Sequence, residues 1–337
     1  MSEYAAFVGV DIAAASASVV VKVTGQPMGT AFTVKQTAAG HAQLVKALVK
    51  AGCVPESTLV VMEATGTYWM QMAFALHEAG FGVSVINPMQ SHNFARALLK
   101  RSKTDAVDAA TLVELAEKLQ PERWSPPPAV YEELLQRLTE RDTLLAMVTQ
   151  TRNRLHALNK RQTVITAVKM RLEQLVTFLK DQIAAIEAEI HVALQQDAAW
   201  AASAERLLSI PGVGEITAGW MLVATLNFST CSNGKEAAAF AGLVPRAFES
   251  GTSVKKRSRI GHAGHARLRC ALYMAALTSI RFNPVLKVFA HRLLAGGKRN
   301  KIVLCAVARK LLCIACSLVK HQTTFDPHYG LKILAAA

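Results

Sequence analysis

The first 120 residues of the chain alternate between short apolar runs and longer amphipathic stretches. Runs rich in β-branched or alternating apolar residues predict strands where Gly-, Ser- or Pro-containing turns bound them. These runs are residues 4–11, 17–24, 30–35, 58–62 and 82–86. Apolar residues three and four positions apart predict helices at 38–51 and 67–79. The predicted order is three strands, a helix, a strand, a helix and a strand.

This order of elements, followed by further helices, is that of the ribonuclease-H-like (RuvC-like) fold. We predict that α/β fold for residues 1–123. The Pro-rich segment 124–128 then breaks the pattern and begins a linker. The chain therefore divides after its first third.

A long helical segment is predicted within residues 124–200, because residues 131–194 contain no Pro and little Gly. In its second half, apolar residues recur at spacings of three and four: Ile165, Val168, Leu172, Val176, Leu179, Ile183, Ile186 and Ile190. This pattern is typical of a coiled-coil seam. The seam packs either between subunits or as a helical hairpin on its own domain, and we expect a homodimer or tetramer.

The remaining residues, 201–330, predict a mostly helical C-terminal domain. The segment 208–214, Leu-Ser-Ile-Pro-Gly-Val-Gly, resembles the turn of a helix-hairpin-helix motif. In such a turn, Gly212 and Gly214 would present backbone N–H groups to a phosphate; the alternative is an ordinary helix end and turn. Several helices are predicted over 235–320, separated by the polar stretch 249–266 and by residues 295–299.

The positive charge lies in the C-terminal domain alone. Residues 1–120 contain 9 Lys/Arg and 9 Asp/Glu, residues 121–200 contain 10 of each, and residues 201–337 contain 19 and 5. Such a local excess favours a polyanionic partner, namely nucleic acid, over a basic surface that serves only solubility. The candidate contacts are Arg246, Lys255, Lys256, Arg257, Arg259, His262, His265, Arg267, Arg269, Lys298 and Arg299. For the two histidines, phosphate binding is favoured over acid–base catalysis.

Cysteine usage and hydropathy narrow the cellular setting. Six scattered cysteines indicate reduced thiols, and the Cys313-x-x-Cys316 pair lies in an apolar helical run, which favours a buried position over zinc binding or redox chemistry. No basic-then-apolar leader is seen at Met1, and Arg309 and Lys310 interrupt the apolar stretch 302–319. We therefore expect no membrane partner and a cytoplasmic, nucleoid-associated location.

Four carboxylates form the strongest candidate for chemistry. Asp11 ends the first predicted strand, Glu63 ends the fourth, and Asp105 and Asp108 share one helix face by their spacing of three. The ends of those two strands are neighbours in a ribonuclease-H-like sheet, so all four side chains would converge and need divalent cations, here Mg²⁺. Taken singly, Asp11 could cap a turn, Glu63 could pair with Lys103, and Asp105 could be a helix N-cap.

Several motifs resemble one family in order along nearly the whole chain. They are Gly9-Val-Asp11, Met62-Glu-Ala-Thr-Gly-Thr-Tyr68, Val85-Ile-Asn-Pro88, Lys103-Thr-Asp-Ala-Val-Asp108, Ile210-Pro-Gly-Val-Gly214, and Phe240-Ala-Gly-Leu-Val-Pro-Arg246 with Glu249-Ser-Gly251. Together they resemble the DEDD transposases of the insertion sequence 110/1111 family.

The resemblance implies a RuvC-like domain whose catalytic carboxylates are Asp11, Glu63, Asp105 and Asp108, and a transposase domain whose catalytic serine is Ser250. It also implies guidance by a structured noncoding RNA, the bridge RNA, that pairs with donor and target DNA. We therefore expect a transposase in which Ser250 forms a phosphoserine link to DNA, with magnesium held beside the same phosphate. Gly251 would allow close approach of DNA, and the following Lys and Arg residues would neutralise the phosphate.

Two other functions stay open on the residues alone. One is a RuvC-like nuclease in which two metal ions activate water and Ser250 is a bystander. The other is a non-enzymatic architectural protein of nucleic acid, in which only the basic domain matters.

Overall fold

Alternating burial along the first strands builds a five-stranded mixed sheet. Its strands are β1 (Ala6–Ile12), β2 (Ser16–Val23), β3 (Phe32–Lys35), β4 (Thr58–Glu63) and β5 (Gly82–Ile86). Their order in the sheet is β3-β2-β1-β4-β5. The pairs β1–β2 and β2–β3 are antiparallel, whereas β1–β4 and β4–β5 are parallel. The parallel pairs require crossover helices, and the chain supplies them.

Four helices cover the two faces of this sheet: α1 (Ala38–Lys50), α2 (Met70–Glu78), α3 (Pro88–Ala97) and α4 (Asp105–Leu119). Even-numbered residues of β1, such as Val8 and Val10, are buried with α1 and α2. The odd-numbered Phe7 is buried with Leu112 and Val113 of α4 on the other face. Side chains alternate across a strand, so each face of β1 has its own core.

The structure is a computed structural model that describes residues 4–100, 104–250, 254–261 and 263–328. The chain divides into two compact units, Met1–Pro126 and Pro127–Ala337. The first unit is the mixed sheet with its helices, which agrees with the predicted ribonuclease-H-like fold. The second is mainly helical, as predicted. The narrower three-part division at residues 123 and 200 stays a prediction.

The second unit begins with two long antiparallel helices, α5 (Ala129–Leu158) and α6 (Thr166–Leu194). Within the predicted seam, Leu172, Leu179 and Ile190 are buried inside this unit, whereas Ile165 is 63% exposed. Ion pairs between the two helices join Arg137 to Glu189 (3.2 Å) and Arg141 to Glu187 (2.7 Å). These buried residues of the seam therefore pack within the α5–α6 hairpin, as one of the two alternatives predicted. Self-association stays a prediction.

The rest of the unit contains α7 (Ala198–Leu208), α8 (Glu215–Thr225), α9 (Gly234–Phe240), β6 (Arg246–Ser250), β7 (Val254–Arg259), α10 (Ala266–Phe282), α11 (Pro284–Ala295) and α12 (Asn300–His321). One apolar core joins the helices α7 to α12, and α12 contributes Val303, Val307, Leu311 and Leu312 to it. The antiparallel hairpin of β6 and β7 occupies much of the predicted polar stretch 249–266, and the sequence analysis did not predict these two strands.

Among the described residues, α12 is the one helix long and apolar enough to cross a membrane. A single such helix is weak evidence, because core helices of globular proteins pass the same test. Here α12 also places Cys316 in the core of the unit, and the Cys313 thiol donates to the Gly234 carbonyl at 3.2 Å. Burial raises the pKa of both thiols, which favours their protonated form.

Candidate active site and nucleic-acid-binding residues

Asp11 and Glu63 lie at the ends of neighbouring parallel strands, as the sequence predicted. In the register of β1 and β4, Gly9 is opposite Val61 and Val10 is opposite Met62. The next pair in the same register is Asp11 and Glu63, on strands about 4.8 Å apart. Both side chains fall on the odd-numbered face, which α4 covers. The two carboxylates are therefore neighbours at one edge of the sheet.

The start of α4 lies at that edge because Gly9 lets the helix approach β1 closely. A Cβ atom on Gly9 would lie 2.1 Å from the Ala109 carbonyl oxygen and 2.7 Å from the Val113 nitrogen. Any residue with a side chain would push the helix away. Asp108 immediately precedes Ala109, so this contact brings the first turn of α4 to the end of β1.

Asp105 and Asp108 both lie in the first turn of α4. The N-cap of this helix is Thr104, whose hydroxyl accepts from the Val107 N–H at 3.3 Å. The alternative that Asp105 is the N-cap is therefore wrong. Two carboxylates in a first turn are favoured by the helix dipole, which lowers the cost of placing them together. The alternative partner of Glu63, Lys103, lies outside the described residues.

Two ion pairs join α4 to other parts of the first unit further along its length, one of them to the sheet. Lys22 of β2 contacts Glu117 at 2.6 Å, and Lys100 contacts Glu114 at 2.8 Å. These other acidic residues of α4 thus already have cationic partners. They are structural contacts rather than additions to the candidate site.

The donor set of Asp11, Glu63, Asp105 and Asp108 consists of carboxylate oxygens, the ligands that hard divalent cations such as Mg²⁺ prefer. Asp105 is exposed and the other three are half-buried, so the edge is open to solvent. Within the described part of the chain, no three His, Cys, Asp or Glu side chains are placed closely enough to hold one ion. The carboxylate oxygens are suitable ligands for a divalent cation. Their positions form two pairs, Asp11 with Glu63 and Asp105 with Asp108, and the four side chains do not surround one ion.

A hydrogen-bonded pair that sequence reasoning missed supports the loop after Glu63. The Gln36 Nε2 group donates to the Tyr68 carbonyl at 3.2 Å, and the Gln36 Oε1 atom lies 2.9 Å from His41 Nε2. Burial lowers the pKa of His41, which favours its neutral form. No local pattern in the sequence indicates the bond from Gln36 to Tyr68, because the two residues are 32 positions apart.

Ser250 lies at the tip of the β6–β7 hairpin. It is the last residue of β6 and pairs with Val254, the first residue of β7. The predicted cations Lys255, Lys256, Arg257 and Arg259 all lie on β7, and Arg246 is paired with Arg259 at the other end. The backbone therefore brings the candidate serine and five candidate cations into one small element; Gly251 lies outside the described residues.

The two glycines of the predicted phosphate-binding turn have different surroundings. Gly212 has φ +99°, and a Cβ there would lie 2.4 Å from the Ser279 hydroxyl oxygen, so glycine is required for packing against α10. Gly214 is exposed and begins α8 without a side-chain cap. Glu215, in the first turn of α8, lies 2.6 Å from His191 Nδ1. Of the two glycines, Gly214 is thus the exposed one at the N-terminus of a helix, and its contact with a phosphate stays a prediction.

Three of the candidate nucleic-acid contacts near α10 have protein partners. Arg267 pairs with Asp142 at 2.8 Å and lies 5.7 Å from the centre of the Trp220 ring. Arg269 donates to two backbone carbonyls, and His265 caps α10 by accepting from the Leu268 N–H at 3.1 Å. Burial and, secondly, the nearby Arg267 charge lower the pKa of His265.

The last two described candidates lie near the C-terminal helix. Lys298 and Arg299 are exposed in the turn before α12. Their positions leave them accessible to a polyanion. His262 lies outside the described residues.

Comparison with known proteins identifies the chain. A family model of DEDD transposases matches residues 8–164, and one described as "Transposase IS116/IS110/IS902 family" matches residues 204–291. A pilin gene-inverting protein of Moraxella bovis is 32% identical over 272 residues, covering 80% of this chain and 83% of the relative. A transposase for the insertion sequence element IS1328 of Yersinia enterocolitica is 27% identical, covering 82% and 87%.

The fold, the carboxylate edge and these matches define a transposase, an enzyme that cuts and rejoins DNA. The chain belongs to the IS116/IS110/IS902 family of transposases. This finding confirms the resemblance drawn from the sequence motifs.

Proposed function

We propose that the protein is the recombinase of an insertion sequence and that it exchanges DNA strands through a covalent phosphoserine link at Ser250. The observation that carries the proposal is the position of Ser250 at the tip of a hairpin whose second strand contains four Lys and Arg residues. A hydroxyl becomes an effective nucleophile where positive charge stabilises the oxyanion it forms and the phosphate it attacks.

The proposed step balances without an external energy source. The Ser250 oxygen bonds to phosphorus, a deoxyribose oxygen leaves, and the serine proton ends on that leaving oxygen. A deoxyribose hydroxyl of the new strand then attacks the same phosphorus and returns the proton to serine. One phosphodiester replaces another, so the bond energy is conserved through the enzyme-linked intermediate.

In this proposal, Asp11, Glu63, Asp105 and Asp108 hold Mg²⁺. A bound divalent ion there would neutralise the carboxylates and polarise a phosphate oxygen. The chain's own contribution would be to hold the carboxylates at one edge, and the register of β1 with β4 and the Gly9 contact support this role. The four acidic groups otherwise repel one another and the DNA.

The proposal includes a structured noncoding guide RNA beside donor and target DNA. The support is the family resemblance together with the charge of residues 201–337, which contain 19 Lys/Arg and 5 Asp/Glu. A protein that leaves sequence choice to base pairing needs chiefly phosphate and shape contacts. Assembly as a homodimer or tetramer also belongs to the proposal.

The deciding experiment compares wild type with Ser250→Ala, using Ser253→Ala and Thr252→Ala as hydroxyl controls from the same segment. Labelled substrate DNA is incubated with protein, Mg²⁺ and the element's RNA, and then analysed on a denaturing gel. We expect a slow protein–DNA band with wild type and both controls and none with Ser250→Ala, and mass spectrometry should find DNA on the Ser250 peptide. Free cleaved ends produced equally by Ser250→Ala would instead establish a hydrolytic nuclease.

A further inference from the structure

One arginine side chain bridges the two ends of the segment that contains the β6–β7 hairpin. Residues 241–245 lead into β6 and residues 260–264 follow β7. From α10, the Nη1 atom of Arg269 donates to the Ala241 carbonyl at 3.2 Å and to the Ala263 carbonyl at 3.1 Å. The guanidinium thus bonds to the backbone on both sides of the hairpin at once.

The backbone around this arginine is packed so closely that two glycines are required. Gly242 has φ +72°, and a Cβ there would lie 2.2 Å from the Ala263 carbonyl oxygen and 2.3 Å from Arg269 Nη1. Gly264 has φ +98°, and a Cβ there would lie 2.5 Å from the Gly242 nitrogen. The His265 N–H also donates to the Phe240 carbonyl at 2.9 Å. The two ends of the hairpin segment are therefore in direct contact.

The helix that presents Arg269 is itself well anchored. Leu268 and Leu272 of α10 are fully buried in the core of the unit. Arg267 of the same helix pairs with Asp142 of α5 at 2.8 Å. An isolated two-stranded hairpin has little stability of its own, so contacts at its base contribute to its orientation. Here the base is the group formed by Arg269, Ala241, Ala263, Gly242 and Gly264.

We propose that Arg269 is a positioning residue, which fixes the direction of the Ser250 hairpin on the helical core, and not a contact to nucleic acid. The proposal rests on the proposed role of Ser250. Arg269 is half-buried, and both N–H bonds of its Nη1 group are directed at backbone carbonyls of the hairpin's base, which holds the side chain in that position. A planar guanidinium can bond two acceptors in a fixed geometry, which the single ammonium group of lysine reproduces poorly.

The test uses Arg269→Lys and Arg269→Gln, with Arg281→Gln as a matched control from an exposed position on the same helix. The first measurement needs no DNA: hydrogen exchange of the Leu243 and His265 amides in the free protein. Both amides donate to carbonyls of the preceding helix, so loosening the base should speed their exchange. We expect both amides to exchange faster in the two Arg269 variants and to exchange at the wild-type rate in Arg281→Gln.

The second measurement separates positioning from binding. In single-turnover reactions with saturating protein, both Arg269 variants should form the protein–DNA band about ten to a hundred times more slowly, because a small displacement of a reacting group is costly. Nucleic-acid affinity should stay within about twofold, with the same salt dependence. If instead Arg269 contacts a phosphate, Arg269→Lys should retain activity. Arg269→Gln should then reduce the slope of log affinity against log salt concentration by about one.

The outcomes also distinguish this inference from the role of Ser250. Unchanged amide exchange in both Arg269 variants overturns the positioning role, whatever the reaction shows. Faster exchange together with normal cleavage by Ser250→Ala would leave the hairpin base as described and reject the serine mechanism. Should Arg269→Gln unfold, as judged by circular dichroism, Gly242→Ala tests the same base by steric means, with the same expected loss of rate.

Discussion

Replacing Gly9 by alanine tests whether the approach of α4 to β1 assembles the carboxylate edge. The new Cβ would lie 2.1 Å from the Ala109 carbonyl oxygen, whereas ordinary contact begins near 3.4 Å. The backbone must therefore separate by roughly 1.3 Å, the difference between these two distances. Overpacking of this kind costs about 1–3 kcal/mol of unfolding free energy. The shift also moves the first turn of α4 away from Asp11 and Glu63.

A displacement of about 1 Å in reacting groups reduces rates about 100-fold, and we expect a loss of that order in the cleavage rate of Gly9→Ala. Urea unfolding followed by circular dichroism measures the stability, and single-turnover cleavage at saturating Mg²⁺ measures the rate. The control is Gly296→Ala, where a Cβ would meet only ordinary contacts at 3.5 Å and 3.6 Å. Normal stability and normal cleavage in Gly9→Ala would refute the argument that this contact positions the site.

Two further predictions address the metal and a titrating cap. Asp11→Asn should abolish cleavage yet retain DNA binding, because the near-isosteric amide is a poorer ligand for Mg²⁺. The control is Glu56→Gln, at an exposed position before β4. Cleavage by Asp11→Asn in EDTA would contradict the metal role. The lowered pKa of His265 means that the unfolded chain takes up its proton first, so stability should be full above about pH 6.5 and fall as pH decreases below it. His265→Asn retains the cap without titrating, so its thermal midpoint should fall less between pH 7.5 and 5; equal falls in both proteins would exclude this cause.

The sequence predicted the first unit well because its signal is local and periodic. Alternating apolar residues located β1 to β5 within about two residues, and a charged residue at the end of a buried strand marked both Asp11 and Glu63. The parallel arrangement of β1 and β4 followed from the order of strands and helices. What could not be predicted was the helix contact at Gly9, since a close approach leaves no pattern beyond the glycine itself.

The second unit was harder to predict because long-range partners determine its features. The strand β7, Val-Lys-Lys-Arg-Ser-Arg, lacks apolar alternation, so nothing local distinguished it from an exposed polar loop. Arg267 and Arg269 were interpreted as nucleic-acid contacts from their charge, and nothing local indicated that Arg267 has a partner in Asp142, 125 residues away. Likewise, the repeat that includes Leu172 could not show whether α5 or another subunit covers it.

The distribution of charge has a consequence for how such an enzyme engages DNA. Residues 1–120 carry no net charge, and four of their nine acidic residues form the candidate site, where they repel a phosphate until cations neutralise them. Attraction must therefore come from residues 201–337, where all of the net +14 resides. Since counterion release accompanies phosphate contacts, binding should weaken steeply with salt. Salt screens the interactions between partly buried carboxylates and a bound cation much less. In the proposed mechanism, affinity depends on residues 201–337, whereas the chemistry needs both Ser250 of that region and the carboxylates of residues 1–120. Single carboxylate substitutions are therefore expected to lower the cleavage rate and leave nucleic-acid affinity unchanged.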